Sequence, residues 1–117
     1  MPTGKRKPAW KKEIKKHRMA PLFLGWELRE NFGYIFRGLK AKGSAKKKAA
    51  NLALQIRFDR KRIISLAQQG LISMQTTNRL INEAFRICRL KESGKLKAEQ
   101  AIAFLNTVEH FINSFPE

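Results

Sequence analysis

From Ser44 onward the apolar residues recur every three to four positions, the spacing that gathers them on one face of an α-helix. A first run, roughly 45–69, sets Ala49, Leu52, Ala53, Ile56, Ile63, Leu66 and Ala67 on one side. Asp59 and Arg60 interrupt that stripe at its middle, so this part of it is expected to be wet or paired. A second run, about 74–91, turns Thr77, Leu80, Ile81, Ala84, Ile87 and Cys88 inward and leaves Arg79, Arg86 and Arg89 outside. The last, about 96–115, has the cleanest pattern: Ala101, Phe104, Leu105, Val108, Phe111, Ile112 and Phe115 form an a/d-type seam that Pro116 closes. Its outer positions are mild, with Glu99 and Glu109. Upstream, 21–39 reads as a further helix on Leu24, Leu28, Phe32, Ile35 and Leu39, widened by Trp26 and Phe36. Gly25 and Gly33 weaken it by up to about 1 kcal/mol each relative to alanine, or else permit a bend or close packing.

The breaks between runs carry their own chemistry. Ser44 is a natural N-cap for the long helix, and Lys40 to Ser44 before it reads as a loop. Gly70 falls where a helix needs a C′ residue that tolerates positive φ, with Leu71 or Ile72 free to fold back onto the last turn. Ser73 then caps the next helix. Glu92, Ser93 and Gly94 break the one after. Pro2, Gly4 and Pro8 argue against regular structure at the start, and residues 1–18 bury too little to offset backbone entropy. With no strand or hairpin signal, the expected fold is all-α: a small three- to four-helix bundle over 21–117, preceded by a basic, partly unstructured N-terminal arm over 1–20.

Charge changes the picture more than composition does. The chain of 117 residues carries a net charge of +16, a size suited to one domain with a modest core. Residues 1–62 hold 19 Lys/Arg against Glu13, Glu27, Glu30 and Asp59, whereas 63–117 hold 6 Lys/Arg against 5 Glu. A polyanion-binding half joined to a neutral packing half explains that asymmetry; solubility alone does not require it. Three lysines, Lys46, Lys47 and Lys48, crowd the first turn of the long helix, where the macrodipole disfavours cations. That placement makes sense if they meet phosphate.

Catalysis is hard to assemble from the remaining residues. His17 and His110 lack a Cys or Asp at ligand spacing, so no metal or other cofactor is expected. Glu27 and Glu30 read as surface ion-pair partners of Arg29 and nearby lysines, not as an acid–base pair. No phosphate-cradling glycine loop and no Ser/His/Asp set is present, and Cys88 reads as a small core residue. The single cysteine allows no internal disulfide and fits a reduced, cytoplasmic setting. Met1 to Trp26 imitates a signal peptide, but its basic part is too long, its apolar part too short, and Glu27 and Arg29 follow at once. No stretch approaches the roughly 18 apolar residues of a membrane span.

Two patterns remain. Leu66-Ala67, Gly70-Leu71-Ile72-Ser73, Thr76-Thr77 and Arg79-Leu80 together resemble a helix-turn-helix over about fifteen residues, with Gly70 three after Ala67 where that family prefers four. The resemblance implies that Gln75, Thr76, Asn78 and Arg79 would face base edges in a major groove. Together with the basic segments before it, the hinge is also similar in type to small ribosomal three-helix proteins, to the basic four-helix proteins that accompany reverse transcriptases, and to the helical subunits of CRISPR effector complexes. Those likenesses transfer no residues.

The expected function is therefore a non-enzyme: an accessory subunit that clamps a phosphate backbone, RNA slightly favoured over DNA, inside a larger ribonucleoprotein or nucleoprotein complex. The phosphate contacts expected are Lys5, Arg6, Lys7, Lys11, Lys12, Lys15, Lys16, Arg18, Lys46, Lys47, Lys48, Arg57, Lys61 and Arg62. If about eight basic side chains engage phosphate, log K falls against log salt with a slope of about −6 to −7. Trp10, Trp26, Phe23 and Tyr34 lie beside the charges; Trp10 is the candidate for stacking on bases, and the other three read as core. The C-terminal helices supply the core and a surface for a protein partner or a second copy. A sequence-specific helix-turn-helix regulator is the main alternative. A membrane-surface protein anchored by the arm with Trp10, Phe23 and Trp26, and an adaptor for an acidic protein, are the others.

Overall fold

A computed structural model describes residues 27–115, and the basic arm, Phe23 and Trp26 lie outside the described residues. Within that span the protein is all-helical, with no strand. Residues 27–31 are helical and are followed by α1 (Gly33–Lys40), α2 (Ala45–Gln68), α3 (Met74–Glu92) and α4 (Ala98–Asn113). The helix expected over 21–39, where Gly33 could permit a bend, is interrupted at Phe32, which leaves helical geometry at φ −107°, ψ 27°. The next residue, Gly33, has no side chain to resist the change of direction. Phe32 itself is fully buried, so the break turns its ring inward.

The ends of α2 and α3 follow directly from local sequence. Ser44 Oγ accepts from the Lys47 N–H (3.2 Å), and Ser73 Oγ accepts from the Thr76 N–H (3.2 Å), satisfying orphan donors of each first turn. At the end of α2 the Gly70 N–H donates to the Ala67 carbonyl and the Leu71 N–H to the Leu66 carbonyl, both at 3.0 Å. With Gly70 at φ +78°, this is a Schellman cap. Ile72, just after it, is buried in the core. Gly94 repeats the device after α3, with Lys95 donating to Leu90 at 2.9 Å. The last helix is shorter than the periodicity suggests, Ala98–Asn113 against 96–115. Leu96 and Phe115 nonetheless stay buried beyond its ends.

One core runs between the helices. Every inward residue expected on α3 is buried, as are Ala49, Leu52, Ala53, Ile56, Ile63 and Ala67 of α2. On α4, Ala101, Phe104, Val108, Phe111 and Ile112 are buried, while Leu105 sits at the margin. Thr107, outside the expected seam, is buried as well and hydrogen-bonds Glu83 of α3 (3.0 Å). Phe32, Phe111 and Phe115 make an aromatic cluster with centroids 5.1 to 6.1 Å apart, pinning the start of α1 to the end of α4. Gly38 sets how closely α1 approaches α2: a Cβ there would run into the Leu52 side chain. Among the described residues no helix is long and apolar enough to cross a membrane.

Candidate functional site

The hinge at Gly70 sends α3 back alongside α2. Arg57 and Arg60 on α2 lie over the ring of Phe85 on α3, at 5.4 and 5.7 Å. All three are ten or more residues from Gly70, so the helices keep side by side for about 15 Å from the turn. Helix-turn-helix pairs instead cross at a large angle. Of the residues matched to that motif, Gln75, Thr76 and Arg79 line a groove of about 590 Å³ whose other wall is Ala103, Asn106, Thr107 and His110 of α4. Arg79 is paired with Glu83 (3.0 Å), and Asn78 is exposed.

This antiparallel return has an electrostatic consequence at the far end of α2. The end of α1 reaches the start of α2 through the short 41–44 loop, and the end of α3 arrives there from the hinge. Two clefts result. One, of about 340 Å³ between α1 and α2, is lined by Tyr34, Arg37, Gly38, Ala41, Lys42, Lys47, Lys48, Asn51, Leu52 and Gln55. The other, of about 410 Å³, is lined by Ser44, Lys46, Lys47, Lys91, Gly94 and Leu96. Lys47 borders both. Together they gather Arg37, Lys42, Lys46, Lys47, Lys48 and Lys91 around the positive end of the α2 dipole, and among the described residues no acidic side chain lines either cleft. The amides of Asn51 and Gln55 add neutral donors beside these charges. Such a surface can hold tetrahedral oxyanions at several adjacent points, as a phosphate backbone requires.

The expected phosphate-binding residues thus divide. Lys5 through Arg18 lie outside the described residues. Lys46, Lys47 and Lys48 come together in the clefts. Lys61 is exposed about 20 Å further along α2. Arg57 is half-buried against Phe85. Arg62 is engaged elsewhere: its Nε and one terminal nitrogen donate to the two Asp59 oxygens (2.9 and 2.8 Å). That nitrogen also donates to the Asn31 carbonyl (3.1 Å), and the guanidinium lies 4.7 Å above the Phe32 ring. Arg62 therefore commits three of its five N–H donors to tying the start of α1 to α2. Tyr34 completes this node by donating to Asp59 at 2.6 Å. Burial foremost, then the bond to Asp59 and that carboxylate's charge, hold the phenol well above its usual pKa. The interruption expected at Asp59 and Arg60 is a paired one.

Three cleft residues escape a reading of the sequence alone. Arg37 and Lys42 belong to a helix end and a loop that look like ordinary solvated surface, and Lys91 sits in the neutral half of the chain. Only the chain's return path brings Lys91 beside Lys46. Among the described residues no three His, Cys, Asp or Glu side chains are grouped to hold a metal ion. Compared with protein-family models, with curated proteins and with solved structures, the chain matches none.

Proposed function

We propose that the protein is a non-catalytic subunit, a small helical bundle with a basic arm, that holds the phosphate backbone of a nucleic acid within a larger assembly. The observation that carries this reading is the pair of clefts around the start of α2, where six cations from three helices and a loop converge. Like charges this close repel one another in the free protein, and a polyanion relieves that repulsion while releasing its counterions. RNA is slightly favoured over DNA, because a cationic arm such as residues 1–18 folds readily onto irregular shapes. The neutral helices α3 and α4 would face the other members of the assembly, or a second copy, with Ile102 half-exposed on that side.

The test is fluorescence anisotropy with a labelled 20-nucleotide RNA over a series of salt concentrations. Replacing Lys46, Lys47 and Lys48 together by glutamine should weaken binding and flatten the log K against log salt slope by about 2 to 3 units, at about 0.7 to 0.9 for each phosphate no longer neutralised. An unchanged slope in a folded triple variant would remove the clefts from the interface. A sequence-specific reading through Gln75, Asn78 and Arg79, all exposed, is less favoured because α3 returns alongside α2 and does not cross it at a large angle.

A further inference from the structure

The outer side of α2 carries a feature that core packing leaves unexplained. Phe58 is 76% exposed and Leu54, one turn before it, is 45% exposed. Lys47, Asn51, Leu54 and Phe58 follow one another at i, i+4, i+7 and i+11, which makes a single line along the helix. That line starts in the cation-lined cleft, whose walls include Lys47 and Asn51, and reaches Phe58 about 16 Å away. Lys61 follows at i+3 from Phe58 and is exposed; the neighbouring carboxylate, Asp59, is already occupied by Tyr34 and Arg62. An exposed aromatic ring thus stands between two cationic positions on a straight path.

We infer that this ridge binds single-stranded nucleic acid, with an unpaired base stacked on the Phe58 ring while Lys47 and Lys61 take phosphates on either side. The inference rests on the phosphate-binding reading above and adds to it the strandedness of the ligand. A duplex keeps its bases inside the stack and offers Phe58 nothing, whereas an unpaired base has a free π-face. A second copy of the chain is a poorer occupant. Two apolar side chains fall far short of the roughly 800 Å² per partner that stable interfaces bury, and an isologous interface would oppose the lysines of both copies.

The experiment uses the full chain with a labelled, unstructured 20-nucleotide RNA and with the duplex of the same length, over a series of salt concentrations, affinities being compared at one of them. Phe58→Ala should weaken single-strand binding by about 5- to 150-fold, the range for removing one base–aromatic stack, and leave duplex binding within about twofold. Phe58→Trp should restore single-strand binding. Equal single-strand affinity for the wild type and Phe58→Ala, with a steep salt slope retained, overturns the stacking role and leaves the phosphate clamp standing. A flat salt slope in the wild type overturns both. A lower mass for Phe58→Ala than for the wild type in light scattering also overturns the stacking role, assigning the ridge to a protein interface.

Discussion

Tyr34 shows how one polar side chain can fasten two helices. Its hydroxyl donates to Asp59, Asp59 receives the Arg62 fork, and Arg62 covers Phe32, so a break in the apolar stripe of α2 becomes the clasp for α1. A hydrogen bond to a charged acceptor contributes about 1.5 to 3 kcal/mol, less where water reaches the pair. Because the folded protein holds the phenolic proton more tightly than the unfolded chain does, this contribution is complete below the ordinary tyrosine pKa of about 10 and is lost as pH rises above it. Tyr34 is the chain's one tyrosine, which makes the test direct. Phenolate absorbance should appear only above about pH 10 and together with loss of helical circular dichroism. Ionisation near that pH in a still-folded protein would contradict the buried clasp.

Among the helices, α2 is built against its own dipole. Its first turn holds three lysines and no acidic residue, a cost of about 0.3 to 1 kcal/mol per cation close to the end. Stability and binding therefore pull in opposite directions there. The Lys46, Lys47 and Lys48 to glutamine variant, which should bind RNA less well, should melt higher by roughly 4 to 8 °C if about 1 kcal/mol is recovered. A lower melting temperature would mean that the lysines stabilise the free protein. The cap at Gly70 explains why this helix stops where it does: positive φ costs about 1 to 2 kcal/mol for a residue with a Cβ, and glycine has none. That turn returns α3 to the start of α2 and so brings Lys91 to the cleft.

Taken as a whole, the molecule separates its charge from its core. The cleft cations lie at one end of the described helices, and the arm that precedes them adds Lys5 through Arg18. If arm and clefts engage the same backbone, removing residues 1–18 should lower affinity for the 20-nucleotide RNA and flatten the salt slope further than the cleft variant does. An unchanged slope would exclude the arm as the main binder. The two changes should be additive in slope, because counterion release counts phosphates and does not depend on which segment neutralises them.

The fold class and most of the core could be read from the sequence because both are periodic and local. Apolar spacing near 3.6 selects the buried face of each helix, and Ser44, Gly70, Ser73 and Gly94 mark ends through hydrogen bonds that span only a few residues. A bend near Gly33 was legible, but its place at Phe32 and the shortened α4 were not, since packing fixes them: an aromatic cluster in one case, the extended Lys97 and the turn before Phe115 in the other. The candidate site divides in the same way. The three lysines at the start of α2 stand out as a run, but Arg37, Lys42 and Lys91 join them only when three helix ends meet, and Arg62 is drawn into the clasp with α1 only because Asp59 lies within its reach. Phe58 falls outside the apolar stripe of α2, so periodicity keeps it off the core, but only the structure shows how little of its ring is covered. Sequence set which side chains were present and which faces had to be buried; tertiary structure decided which charges became neighbours, because Coulombic and stacking partners are chosen by distance in space and not along the chain.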